Sequence, residues 1–148
     1  MGYLLLSFFL VILTLTSLYE NRQNSQQDVV ETLTIMTQRA TETVQYINAI
    51  NDYLYDHPDV NATPSEVVLK PNQIGMKPNH EIYHVIFKQR VYVWQKPERG
   101  LMNALKTQTL SSALLGTVKQ RHLIDNSGKN MTVPVPTKIP DGAVVYLN

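Results

Sequence analysis

The chain has 148 residues, contains no cysteine and carries a net charge of +1. Without cysteine, a disulfide framework and thiol chemistry are excluded. Lys and Arg are scattered rather than grouped in a basic stripe with interleaved aromatic residues, so the sequence predicts no nucleic-acid partner. Apart from a first apolar segment, the chain is long enough for one compact domain and too short for two ordinary ones.

An uncharged apolar segment comes first, over residues 3–18. As a helix it would be roughly 24 Å long, at the short end of what crosses a bilayer core of about 30 Å. No Lys or Arg precedes it and no small-residue cleavage site follows it, which favours a membrane anchor over residues 1–19 rather than a cleaved signal or a buried core helix. The flanking charges nearly balance and do not set an orientation. The residues predicted to lie in lipid are Tyr3, Leu4, Leu5, Leu6, Phe8, Phe9, Leu10, Val11, Ile12, Leu13, Leu15 and Leu18.

A long amphipathic helix is predicted directly after the anchor. Residues 24–55 contain no Pro or Gly, and their apolar residues recur every three or four positions. Pro58 ends the pattern, because proline cannot continue a helix. The predicted spine helix (residues 20–56) either packs against its own domain, which is the favoured interpretation, or forms a homo-oligomeric coiled-coil seam through residues 29–54.

The remaining residues, 57–148, predict an α+β globular domain. Residues 57–80 are rich in turn signals, with one helical turn at 65–70. Alternating apolar and aromatic residues predict a β-hairpin, and a second helix would run from Pro97 to Gly116. The predicted strands are 82–87, 91–94, 118–124, an edge strand 131–135 and a final strand 143–147. The fold class is therefore α+β: a transmembrane helix continues into a long amphipathic helix, followed by an antiparallel sheet with one inserted helix.

The segment from His80 to His84 matches the zinc-protease pattern H-E-x-x-H, with Glu81 at its second position. That chemistry needs both histidines on one face of a helix. Here the pattern runs into a predicted strand, where residues four apart are separated by about 13 Å. Zinc–nitrogen bonds are about 2.0–2.1 Å long, so one ion would not reach both rings. A zinc metalloprotease is thus a weak alternative, and the sequence predicts no catalytic, metal-binding or cofactor-binding residue.

Several segments together resemble the small PilM proteins of the thin, type IVb pili of conjugative plasmids. They are the short anchor, the hairpin that contains Trp94, and the sequences at 100–105, 111–116, 133–136 and 139–143. The resemblance implies a single-pass inner-membrane protein with its C-terminal domain in the periplasm. It also implies a non-enzymatic component of pilus biogenesis, in the pilin transport apparatus or basal body, whose partners are other pilus-assembly proteins or pilin. The layout is pilin-like, and a pilin-like or secreted structural subunit is the alternative function.

A polymerising type IV pilin is disfavoured, because no basic leader and no early glutamate accompany Gly2. The candidate partner contacts lie at the far end of the spine helix and on the aromatic hairpin. Their alternative role is ordinary core packing, because Tyr and Trp bury well on half-covered sheets. These residues are Ile50, Tyr53, Tyr55, Tyr83, Tyr92 and Trp94.

Overall fold

The structure, a computed structural model, describes residues 2–148 apart from the side chains at positions 21 and 23–25. The chain divides into two compact units, one ending at Ile35 and one spanning Met36–Asn148. Within the described residues the helices are α1 (Gly2–Asp56), α2 (Pro58–Asn61), α3 (Pro71–Ile74) and α4 (Leu101–Gln108). The strands are β1 (Ile82–Phe87), β2 (Arg90–Gln95), β3 (Leu115–Lys119), β4 (His122–Asp125) and β5 (Val144–Leu147).

The first unit is the amino-terminal part of α1. Among the described residues, one helical segment, Gly2–Glu20, is long and apolar enough to cross a membrane, with a mean hydropathy of 1.9 and no burial within the fold. Its hydroxyl groups bond to carbonyls of the same helix, as when Thr14 Oγ1 donates to the carbonyl oxygen of Val11 at 2.8 Å. A polar side chain satisfied in this way does not need water inside a bilayer. The predicted apolar helix is confirmed as a candidate membrane span.

The second unit is built on a five-stranded antiparallel sheet in the order β1-β2-β5-β3-β4. The predicted hairpin is confirmed: β1 and β2 are joined by Lys88 and Gln89, whose φ angles are 48° and 61°. Two positive φ angles give the tight turn whose twist matches the flanking strands. The final strand is also confirmed, as β5 in the centre of the sheet.

One face of the sheet packs on helices. Residues of α1 from Tyr46 to Leu54 lie against β1 and β2, while Met36 and Ala40 pack with α4. The second half of α1 is therefore a packed spine, as the sequence favoured. The opposite side, which we call the outer face, carries Val85, Tyr92, Val145 and Leu147 and is covered by residues from the irregular segment 129–143.

Three predicted elements are wrong, each because tertiary structure overrides the local pattern. The second helix ends at Gln108 rather than Gly116, since Leu110 and Ser111 adopt positive φ angles of 50° and 57°. The predicted strand 118–124 is a hairpin, β3–β4, which turns at Gln120 and Arg121. The predicted edge strand 131–135 is irregular; the antiparallel bridge next to it is formed by Asn130 and Ile124.

The predicted helical turn at 65–70 is also wrong. Prolines at positions 58 and 71 begin the short helices α2 and α3 instead, because a proline is tolerated at the first helical position. The intervening residues are extended, and Val67 pairs with Ile86 through N–H···O bonds of 2.9 and 2.8 Å. This strap of residues 66–69 therefore covers the edge of β1.

Candidate interaction surface

Two of the six predicted contact residues belong to the core. Ile50 and Tyr92 are 0% exposed. Ile50 faces the sheet from α1, and Tyr92 is enclosed on the outer face, so neither offers a surface to a partner in this fold. The alternating pattern correctly places Tyr92 on one face of a strand. It carries no information about the loop of the same chain that covers that face.

The end of α1 carries two further predicted contacts. Tyr53 is half-buried, stacks on His57 with ring centroids 4.1 Å apart and accepts a hydrogen bond from Nε2 of Gln73 at 2.9 Å. Tyr55, by contrast, is 88% exposed. Of these two tyrosines, Tyr55 is the one that presents most of its side chain to solvent.

The last two predicted contacts form a pair on the outer face. Tyr83 and Trp94 are directly opposite each other in the β1–β2 ladder, and their rings stack with centroids 4.6 Å apart and planes 26° apart. Tyr83 is 42% exposed and Trp94 is half-buried. Beside them, Lys96 Nζ lies 3.4 Å from a carboxylate oxygen of Glu81. The sheet thus presents a stacked aromatic pair next to an ion pair whose two charges neutralise each other.

Next to this pair, the outer face holds a proline segment of the same chain. The hydroxyl of Tyr92 donates to the carbonyl oxygen of Pro134 at 2.8 Å, and Val133 and Val135 pack against the same apolar cluster. Burial raises the pKa of Tyr92, against a smaller opposing effect of the Arg90 charge. The hydroxyl therefore stays protonated and available as a donor at neutral pH.

The H-E-x-x-H segment has no helical geometry. His80 lies in the loop before β1, whereas His84 is buried within β1. Both ring nitrogens of His84 are bonded, Nδ1 to the hydroxyl of Tyr46 at 2.8 Å and Nε2 to the backbone N–H of Leu69 at 2.9 Å. Burial, assisted by the charge of Lys138, lowers its pKa to about 4. The zinc-protease alternative therefore lacks its geometry, and the part of the chain that is described holds no cluster of three or more potential metal ligands.

A buried polar network that sequence reasoning missed fastens α1 to the sheet. Arg39 Nε donates to Oε1 of Gln95 at 2.6 Å, Nε2 of Gln95 donates to Oγ1 of Thr43 at 2.9 Å, and Arg39 also pairs with Glu98. Arg39 and Gln95 are 56 positions apart, so no local pattern links them. The local sequence offers one hint, the polar Thr43 among the apolar positions of the spine helix.

A second polar contact lies one turn away on α1. The carboxylate of Glu42 accepts hydrogen bonds from the backbone N–H of Asn79 and from Nδ1 of His80, each 2.5 Å long. Partial burial raises the pKa of Glu42, but these hydrogen bonds and the His80 charge outweigh it, so the pKa lies below its usual value. Beside the network, a cleft of about 420 Å³ is lined by Arg39, His80 and Lys96 together with Glu81 and Glu98. Arg39 pairs with Glu98, Lys96 with Glu81 and His80 with Glu42, so these charged side chains at the cleft have partners within the chain.

Most of the apolar stripe that would form a homo-oligomeric seam is buried against other elements of the same chain. From Met36 to Leu54 the apolar stripe is buried in its own unit, because β1, β2 and α4 cover it. Of the residues predicted to form the seam, Val29 and Leu33 remain exposed in the first unit. A coiled coil through the whole of 29–54 is therefore incompatible with this fold.

Comparison with known proteins identifies the family. The sequence model of the PilM family matches residues 9–147. The chain belongs to the PilM family. A crystal structure of a protein named PilM from Escherichia coli B7A is 39% identical, covers 78% of this chain and 92% of that chain, and superimposes with a TM-score of 0.66. No curated protein matches the chain. The resemblance seen in the sequence is confirmed, and PilM family membership makes this a pilus-related protein.

Proposed function

We propose that the chain is a membrane-anchored, non-enzymatic component of type IVb (thin) pilus biogenesis. It acts in the pilin transport apparatus or basal body through contacts with other pilus-assembly proteins or pilin. Family membership supports the link to the pilus. The observation that carries the anchoring is the Gly2–Glu20 segment, whose side chains have no cover within the fold.

The energetics of that segment favour lipid over water. Its large apolar side chains are each exposed over about half of their surface or more, from Ile12 at 44% to Tyr3 at 91%. Apolar surface left in water costs about 25 cal/mol per Å², and insertion into a bilayer removes that cost along the whole segment. The helix also satisfies its own backbone groups, which a bilayer requires.

The second unit supplies the contacts in this proposal. Its buried titratable residues have structural partners: His84 bridges Tyr46 and Leu69, and Arg39 holds Gln95 and Glu98. Its exposed aromatic residues, Tyr55 and Tyr83, lie outside those networks and are available to other proteins. We place this unit in the periplasm on the strength of the family resemblance.

Membrane integration is tested with the full-length chain in a host that carries the pilus genes. We expect the protein to stay with membranes after alkaline carbonate extraction and to be degraded by protease added to spheroplasts but not to intact cells. Recovery of the intact, full-length chain in the soluble fraction would contradict the anchoring. Protection from protease in spheroplasts would place the second unit in the cytoplasm instead.

The contact role is tested by photo-crosslinking in the same cells. A photoreactive phenylalanine derivative replaces Tyr55 or Tyr83, and the matched control replaces Leu110, which is 91% exposed and lies outside the predicted contacts. We expect Tyr55 or Tyr83, and not Leu110, to capture a pilus-assembly protein or pilin, identified by mass spectrometry. Capture of neither from both positions would argue against an assembly role.

A further inference from the structure

The cleft beside the buried polar network contains a guanidinium group that is held firmly at one edge. Arg39 lines this cleft of about 420 Å³, and its side chain is only 9% exposed. Its Nε donates to Oε1 of Gln95 at 2.6 Å, and the side-chain amide of Gln95 donates to Thr43 at 2.9 Å. The orientation of the guanidinium is therefore set from inside the fold, whatever group lies in the cleft.

The opposite edge of the guanidinium meets a single carboxylate oxygen. Nη1 of Arg39 donates to Oε2 of Glu98, while Nη2 has no hydrogen-bond partner among the described residues. An arginine and a carboxylate form their strongest pair when two parallel N–H···O bonds join them. Glu98 therefore satisfies one of the two nitrogens at this edge and leaves the other for a second acceptor.

The two partners of this ion pair differ in how easily they can separate. Glu98 lies in the exposed connection 96–100 between β2 and α4, and its side chain is 54% exposed. A carboxylate that is already half in water regains its hydration at little cost when its side chain turns away. Arg39 cannot follow it, because its Nε is held inside, and a buried cation without a partner is strongly disfavoured. The pair therefore favours exchange of Glu98 for another carboxylate over loss of the ion pair.

The rest of the cleft adds positive charge at its rim. Lys96 Nζ is exposed and lies 3.4 Å from a carboxylate oxygen of the equally exposed Glu81, a pair of small energy. When Glu98 turns away, the charged lining consists of Arg39 and Lys96 against Glu81 alone, apart from His80, whose Nδ1 is bonded to Glu42. Two cations then face one carboxylate, so the cleft is complementary to an added negative charge.

We propose that this cleft binds an acidic side chain of a partner protein, with Arg39 as the receptor and Glu98 as an internal carboxylate that the partner displaces. This inference deepens the proposed contact role and rests on it for the partner's place in the pilus machinery. The group now bound to Arg39 is itself a glutamate side chain of a polypeptide, which defines the chemistry of the occupant. A carboxylate that bonds both Nη1 and Nη2 makes one hydrogen bond more than Glu98 does, and this bond supplies the preference for the partner.

Binding is measured by nuclear magnetic resonance on the full-length, isotope-labelled protein in dodecylmaltoside micelles. The probe is the blocked peptide acetyl-Gly-Ala-Glu-Ala-Gly-amide, which carries a single carboxylate. The Nε–H signal of Arg39, identified by its loss in Arg39→Lys, reports on the cleft, and we expect it to shift saturably. The matched peptide with glutamine in place of glutamate should bind at least about tenfold more weakly, because it lacks the charge that the guanidinium pairs with.

Variants of the protein test the displacement itself. Glu98→Gln removes the competing carboxylate with little change of shape, and it should tighten binding of the glutamate peptide about fivefold. Lys96→Ala, at the rim of the cleft, should weaken binding about twofold. Lys129→Ala changes an exposed lysine outside the cleft and should leave binding unchanged.

Several results would overturn the proposal. They are the absence of a saturable shift, equal binding of the glutamine peptide, and unchanged affinity in Glu98→Gln. Acetate that binds as tightly as the glutamate peptide would also overturn it, because the cleft would then be a general anion site. A shift caused by raising the protein concentration alone would do the same, because the occupant would be a second copy. None of these results bears on carbonate extraction or on crosslinking from Tyr55 and Tyr83, so failure of the cleft and failure of the proposed function are distinguishable.

Discussion

The backbone N–H of Leu69 donates to Nε2 of His84 across 2.9 Å, and this bond fixes the proton of the imidazole on its other nitrogen. Nδ1 then faces the hydroxyl of Tyr46 at 2.8 Å, so the ring joins the strap of residues 66–69 to α1. A proton added to Nε2 would meet the Leu69 N–H, donor against donor. The ring is therefore held neutral by its position.

This arrangement predicts an acid-sensitive fold. Above about pH 6.5 the ring is neutral in both the folded and the unfolded chain, and stability does not depend on it. As the pH falls from about 6.5 to about 4, the unfolded chain takes up the proton first, because burial lowers the folded pKa to about 4. We expect the free energy of unfolding to fall by about 3 kcal/mol between pH 7 and pH 4 on account of this residue.

Urea unfolding of the full-length protein in dodecylmaltoside, followed by Trp94 emission at pH 7, 5 and 4, measures that slope. His84→Gln removes the titrating group, and its stability should fall less over the same interval. The control His122→Gln changes an exposed histidine and should keep the slope of the parent protein. If His84→Gln retains the full slope, other groups cause the acid sensitivity.

Arg39 should matter more to stability than an exposed ion pair. Arg39→Ala leaves Oε1 of Gln95, a residue that is almost completely buried, without its donor. We expect a loss of about 2 kcal/mol in the free energy of unfolding. Lys96→Ala, which breaks the exposed pair with Glu81, should cost less than about 0.5 kcal/mol. Equal losses in the two variants, measured by urea unfolding, would mean that the buried network stabilises the fold no more than an exposed ion pair does.

The boundary of α4 can be tested with two leucines five positions apart. Leu105 is completely buried between α1 and the sheet, whereas Leu110 lies beyond the end of the helix and is almost fully exposed. Leu105→Ala should lower the free energy of unfolding by about 3 kcal/mol through the lost apolar contacts and the cavity left behind. Leu110→Ala should change it by less than about 0.5 kcal/mol. A large effect at Leu110 would support the longer helix that the sequence predicts.

A charge in the middle of the apolar segment should prevent membrane insertion. Val11 lies at the centre of Gly2–Glu20, where an arginine costs about 3 kcal/mol on insertion scales. We expect Val11→Arg to shift the protein from the carbonate-resistant to the soluble or degraded fraction. Val30→Arg, a matched change on the same helix beyond the segment, should leave it membrane-bound. Resistance of Val11→Arg to extraction would indicate that another part of the chain holds the membrane.

The elements that were predicted correctly are those with a periodic apolar pattern. The helical spacing through Ile47 and Leu54, the β1–β2 alternation and the apolar strand after Gly142 each specify one element, because the period decides which face is buried. The sequence indicates Tyr83 and Trp94 only as separate candidate contacts, and the register of β1 and β2 is what places them opposite each other on one face, where their rings stack. Here local sequence and tertiary structure agree.

One of the errors occurs where a distant side chain holds the local conformation. Gln120 and Arg121 form a tight turn without glycine or asparagine, and the guanidinium of Arg121 holds it by bonding three carbonyl groups of the segment 135–139. The buried contact between Arg39 and Gln95 likewise joins residues that no short motif relates. The predicted division into residues 1–19, 20–56 and 57–148 stays a prediction.

Both margins of the sheet are interrupted by short pieces of the same polypeptide, Val67 beside β1 and Asn130 beside β4. At these two positions a neighbouring molecule would meet backbone groups that are already engaged, which disfavours the edge-to-edge pairing that leads to fibrils. Sheet-to-sheet joining of two copies is consequently disfavoured at these positions, which leaves side chains rather than strand edges as the means of recognition.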